Sequence, residues 1–182
     1  MHSAETSGTQ TKVERRASAR AVMGWPRTLA RLAHGRNINP ETLLATDYLN
    51  HFNEIVMLID MAADMPECIE DIAAWQPLSY AGHFRRSNFA ARELAILAYE
   101  NAPERHRDPF DVVIAQANRI AQEAAHALSQ ATAADAPETA AISAIATRYA
   151  QTLRRLIDIA SGIVNGKGLR VDQSEIDAIL AE

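Results

Sequence analysis

The segment NPETLLATDYLNHFNEIVMLIDMAADMP, residues 39–66, decides the fold class. Its apolar residues Leu44, Tyr48, Leu49, Phe52, Ile55, Val56, Ile59 and Ala62 recur every three or four positions, which is the period of one wide buried helical stripe and not of a strand. Asn39 suits the cap of a helix start, and Pro40 suits the first helical position, where a missing N–H costs nothing. The pattern predicts a helix from Asn39 to about Ala63, ended by Met65-Pro66.

The same period recurs outward from this segment. Cys68 to Trp75 and Ser79 to Arg86 read as short irregular helical pieces divided by Pro77, and Ser87 and Asn88 can cap a helix from Phe89 to about Glu100. Asp108-Pro109, with Asp111 in the first turn, predicts a helix reaching about Gln130, with Phe110, Val113, Ile114, Ala117, Ile120, Ala121, Ala124 and Leu128 on its face. A further helix follows Ala133 to Asp135, carries Ile142, Ile145, Tyr149, Leu153, Leu156, Ile157 and Ile163 on one side, and ends at Gly166 and Gly168. Short connections favour antiparallel neighbours, and no alternating pattern supports a sheet. The expected architecture is all-α: a bundle of four main helices over 39–166 with a short irregular helical insertion, a basic and mostly disordered arm over 1–38, and a linker with a short C-terminal helix over 167–182.

A chain of 182 residues suits one domain that buries roughly 70% of its unfolded surface. The lone Cys68 has no partner for an intrachain bridge and fits a reducing compartment. No run approaches the length of a membrane span, and the first residues lack a compact apolar signal core despite Arg15-Arg16, so the expected location is the cytoplasm. Residues 1–36 carry Lys12, Arg15, Arg16, Arg20, Arg27, Arg31 and Arg36 against Glu5 and Glu14, a net of +5, which leaves −10 on the rest of a chain totalling −5. Such an arm reads first as solvated, with nucleic acid or anionic lipid the lesser reading. Trp25, Leu29 and Leu32 share a face that permits a short surface-lying helix, which Pro26 interrupts.

Chemistry is sparse. His51 falls on or beside the buried stripe, where an imidazole requires a hydrogen-bond partner or a metal. Asp47 and Glu54 flank it at four and three residues, and His83 can approach from the insertion, so Asp47, His51, Glu54 and His83 form a candidate site for a divalent transition metal. Di-iron bundles repeat Glu-x-x-His on two helices, whereas this chain has the reverse order, His51-x-x-Glu54, once. A hydrogen-bonded core histidine is the competing reading. His126 belongs with Arg119 and Gln122 on a polar face, and nothing marks Cys68 as activated. Arg85, Arg86, Arg92, Arg105, His106 and Arg107 suit either an anion or a solvated face. No phosphate loop and no Gly-x-Ser-x-Gly elbow occurs, so no catalytic residue and no required cofactor is assigned.

The last residues carry the partner signal. Asp172 and Glu175 have capping-box spacing, and Ile176, Ile179 and Leu180 form a narrow apolar edge that needs a surface to dock on. The string Gln173-Ser174-Glu175-Ile176-Asp177-Ala178-Ile179-Leu180 resembles the N-terminal peptide of the flagellar motor switch protein FliM, whose pattern is Ser-Gln-x-Glu-Ile-Asp-x-Leu-Leu. Gln173, Glu175, Ile176, Asp177 and Leu180 match that pattern, while Asp172 stands for the Ser and Ile179 for a Leu. Here the string lies at the opposite end of the chain. The resemblance implies binding to a CheY-like receiver domain, in chemotaxis or two-component signalling. A helical bundle with a linker and a receiver-binding C-terminal helix is also similar in outline to the phosphatase CheZ. That family's Asp and Gln one turn apart have no counterpart, since Asp111 and Gln116 are five residues apart. The resulting expectation is a non-enzymatic interaction protein. The alternatives are a metal-binding bundle, enzyme or sensor, centred on His51, and a structural homodimer with an alanine-rich seam.

Overall fold

A computed structural model of the chain describes residues 27–133 and 138–167. Every regular element among them is helical. Residues 27–33 are helical and a 3-10 turn covers Thr46–Leu49. Then follow α1 (Asn50–Met61), α2 (Cys68–Ala74), α3 (Tyr80–Arg86), α4 (Arg92–Glu100), α5 (Glu104–Thr132) and α6 (Thr139–Val164). None of the described helices is long and apolar enough to cross a membrane.

The stripe read from residues 44–62 is the core face: Leu44, Tyr48, Leu49, Phe52, Ile55, Val56, Ile59 and Ala62 are all buried. Its helix α1, however, begins at Asn50, preceded by the 3-10 turn from Thr46, and not at Asn39-Pro40. Asn39 caps a tight turn instead, its Oδ1 accepting from the amides of Glu41 at 2.8 Å and Thr42 at 3.1 Å. Thr42, Leu43, Leu44 and Ala45 are each at most 1% exposed. Four consecutive buried residues would cover every face of a helical turn, so burial of this stretch favours a wrapped loop over the local helix signal. Leu43 accordingly sits at φ +60°, a conformation that a branched side chain rarely adopts outside an over-determined site.

That loop seals the end of α6. The Thr42 hydroxyl donates to the Val164 carbonyl at 2.7 Å, satisfying one of the acceptors that a helix terminus leaves unpaired. Gly166, at φ +65°, closes the same end: its amide donates to Ile163 and the Lys167 amide donates to Gly162, the paired bonds of a Schellman cap. The helix stop read at Gly166 is therefore the actual one.

The long pair α5 and α6 is the most extensive helix contact. Ala117, Ala121 and Ala124 of α5 and Ala146, Ala150 and Ala160 of α6 are buried, and small side chains at these positions let the two axes approach. α1 lies on α6 and is tied to it by an ion pair of Asp60 with Arg154, α2 bridges α1 and α5, and α3 packs on α4.

Three further boundaries differ from the sequence reading, the first being α4, which starts at Arg92 and not at Phe89. α5 starts at Glu104 after Pro103, and Pro109 lies inside it, so Asp111 is beyond the first turn. Residues 27–38 belong to the body and not to a detached arm, because Leu29, Ala33 and Ile38 are buried in the core while Leu32 remains 43% exposed. Residues 1–26, including Trp25, lie outside the described part, as do the linker and C-terminal helix expected after Lys167.

Candidate functional site

The irregular insertion organises the aromatic side chains. Tyr48, His51, Phe52, Trp75, Tyr80, His83, Phe84, Phe89, Tyr99 and Phe110 form one connected set of ring contacts. Tyr80 is its hub, stacked on Tyr99 at 4.3 Å and in contact with Tyr48, Phe84 and Phe110. Its hydroxyl accepts from the buried Ala45 amide at 2.8 Å, and the Tyr48 hydroxyl donates to the Leu78 carbonyl at 2.7 Å. Burial first, then neighbouring acids and tyrosines, push both phenol pKa values up.

His51 is a satisfied core histidine. It is 6% exposed, stacks on Trp75 at 4.6 Å, and its Nε2 accepts from the Leu78 amide at 3.2 Å. Burial pushes its pKa down to about 4; the charges of His83 and Arg86 add to the shift, and a backbone hydrogen bond with Gln76 opposes it. His83 is shifted down by burial as well, against its backbone hydrogen bond to Asp47 and the charges of Asp47 and Glu54.

The four candidate metal ligands fall unevenly around the insertion. His51 and His83 do approach, with ring centroids 6.3 Å apart, and Asp47 is beside His83. Yet among the described residues no three His, Cys, Asp or Glu side chains are gathered as metal ligands, and Glu54 is exposed. The Nε2 lone pair of His51 that a metal would need is taken by Leu78. The basic cluster likewise divides. Arg92 lines an open groove of about 1300 Å³ with Arg36, Asp47, His83 and Glu93, where both signs of charge occur. Arg107 instead faces Asp108 and the Glu100 carbonyl. His126 lies with Arg119 and Gln122 on a surface trough, as its polar spacing implies.

Sequence reading missed a smaller pocket, about 280 Å³, where α3, α4 and α5 meet the 3-10 turn. Tyr48, Tyr80, Tyr99 and Phe110 wall it, with Asp111 and Asn118 along one stripe of α5. The Tyr99 hydroxyl donates to Asp111 Oδ1 at 2.8 Å, and burial pushes that phenol up to about 12. Burial also raises the Asp111 pKa, Asp108 adds to the shift, and the Tyr99 hydrogen bond and the Arg107 charge hold it down. The available signal was the polar pair Asp111 and Asn118 seven residues apart, flanking the core positions of α5.

Gln173, Glu175, Ile176, Asp177, Ile179 and Leu180, the expected partner contacts, lie outside the described residues. Comparison with known proteins finds no matching family, curated protein or solved structure.

Proposed function

We propose that this protein is a non-enzymatic helical interaction protein whose residues 172–182 form a helix-in-groove ligand for a CheY-like receiver domain, in chemotaxis or two-component signalling. The observation that carries the reading is the string Gln173 to Leu180 itself, with its matches at Gln173, Glu175, Ile176, Asp177 and Leu180. The closed end of α6 supports it: Thr42 and Gly166 satisfy the last carbonyls, so the bundle needs nothing from the residues after Lys167 to complete this cap. Ile176, Ile179 and Leu180 supply the apolar contact. Glu175 and Asp177 meet basic residues on the receiver and set orientation and association rate more than affinity.

The test is a titration of receiver domains, with and without a phosphoryl mimic, against the intact chain and a version ending at Arg170. The intact chain is expected to bind in a phosphorylation-sensitive way. The shortened version loses detectable binding while its helicity and melting curve stay unchanged. Equal binding by both versions, or unfolding of the shortened one, contradicts the proposal.

A further inference from the structure

We infer that the pocket between α3, α4 and α5 is a binding site for a primary alkylammonium group, held by the Asp111 carboxylate against walls of Tyr48, Tyr80, Tyr99 and Phe110. Size sets the first limit. A volume of about 280 Å³ lies just under the range of drug-sized sites, roughly 300–1000 Å³, so the occupant is a chain of a few heavy atoms.

Hydrogen-bond demand sets its charge. Asp111 Oδ1 accepts a hydrogen bond from the Tyr99 hydroxyl, and among the described residues no cation forms a salt bridge with the carboxylate. Arg107 is near enough to influence Asp111, but it is engaged by Asp108 at 3.7 Å and the Glu100 carbonyl at 3.5 Å and does not line the pocket. Asn118, on the same stripe, has its Oδ1 buried with no partner among the described residues. The half-buried Asp111 carboxylate has acceptor capacity beyond the single Tyr99 bond, and a buried acceptor such as Asn118 Oδ1 left unpaired is costly. An anion is repelled by Asp111, and a purely apolar ligand leaves both acceptors unmatched.

The walls suit the stem. Tyr80 and Tyr99 are stacked on each other at 4.3 Å, and these aromatic walls accept an alkyl stem by apolar contact. Asp111 and Asn118 are seven residues apart, about 10 Å along a helix axis. A short alkyl chain with an N–H donor at each end matches both. Two sources share this chemistry: a free linear diamine, and the lysyl side chain of a peptide, whose backbone amides supply the second donor.

The experiment is a titration of the full chain, read by amide chemical shifts and calorimetry, with 1,4-diaminobutane, Nα-acetyl-lysine amide and 1-butanol. Saturable binding of at least one amine is expected, with shifts centred on Tyr99 and Asp111 and none of this with 1-butanol. The tighter of the two amines identifies the source. Asp111→Asn weakens that binding about tenfold or more, as loss of a charge-assisted bond does. Asn118→Leu weakens it too and covers the case in which Asp111→Asn fails to fold. The version ending at Arg170 binds the amine as the intact chain does, which separates this site from the receiver-binding segment. No saturation by either amine, or undiminished binding in a folded Asp111→Asn protein, overturns the assignment.

Discussion

Replacing Tyr80 by alanine is expected to lower the unfolding free energy by about 3–5 kcal/mol, the loss typical of deleting a large buried ring. Tyr80 is 4% exposed and touches Tyr48, Phe84, Tyr99 and Phe110, so its removal opens a cavity lined by groups from the 3-10 turn, α3, α4 and α5 at once. The same segments are also joined by the packing of α3 on α4, the Tyr99–Asp111 hydrogen bond and the Tyr48–Phe110 ring contact, all of which border Tyr80. α3 and α4 are seven and nine residues long, too short to be helical alone, and they depend on this packing. Tyr80→Phe separates the hydroxyl from the ring: it leaves the buried Ala45 amide without its acceptor and is expected to cost about 1–3 kcal/mol. Denaturant midpoints at unchanged slope read both losses. If Tyr80→Ala proves no worse than Tyr80→Phe, the aromatic set is not what holds the insertion to the bundle.

Acid is expected to remove about 2–3 kcal/mol of stability through His51 between pH 7 and pH 4. The sign follows from where the proton binds. An unfolded histidine takes a proton near pH 6.5, whereas the folded imidazole stays neutral down to about 4. Between those values the unfolded chain binds more protons, so stability falls as pH falls, and below about 4 His51 contributes no further loss. His83 is shifted in the same direction and deepens the fall. Asp111, whose pKa is raised, works the other way as the carboxylate range is entered. His51→Gln keeps an acceptor for the Leu78 amide but cannot titrate, and its denaturant stability between pH 7 and pH 5 is expected to vary less steeply than that of the parent. An undiminished slope in that variant would place the acid sensitivity elsewhere.

The fold was legible where periodicity alone decides it. The face of residues 44–62, the faces of α5 and α6 and the stop at Gly166 follow from spacing and from a glycine's access to positive φ. Boundaries failed where distant contacts outweighed local signals. Asn39-Pro40 has every local mark of a helix start, but Thr42 is drawn to Val164, at the far end of the described chain, and three apolar residues are buried in succession behind it. Asp108-Pro109 failed in the milder way, since a proline past the first turn of α5 costs a backbone bond that the surrounding burial of Phe110 and Val113 offsets.

The candidate sites divide along the same line. His51 was placed correctly on the buried face by its spacing, but whether it meets a metal or an amide depends on Leu78, twenty-seven residues away, which no helical pattern reveals. The Asp111 pocket is more distant still from sequence reading, because its walls come from four elements and its polar groups look like ordinary solvated positions of α5. The peptide resemblance is the reverse case: it is carried by a linear string and needs no tertiary placement.

That difference selects the most direct test of the proposed function. A synthetic peptide of residues 168–182, titrated against the same receiver domains as the intact chain, isolates the string from the bundle. The account predicts that the peptide binds with an affinity within several-fold of the intact chain, prefers the phosphoryl-mimic state, and loses binding when Ile176 and Leu180 are replaced by Ser. Binding by the intact chain with none by the peptide would contradict it and place the interaction on the bundle.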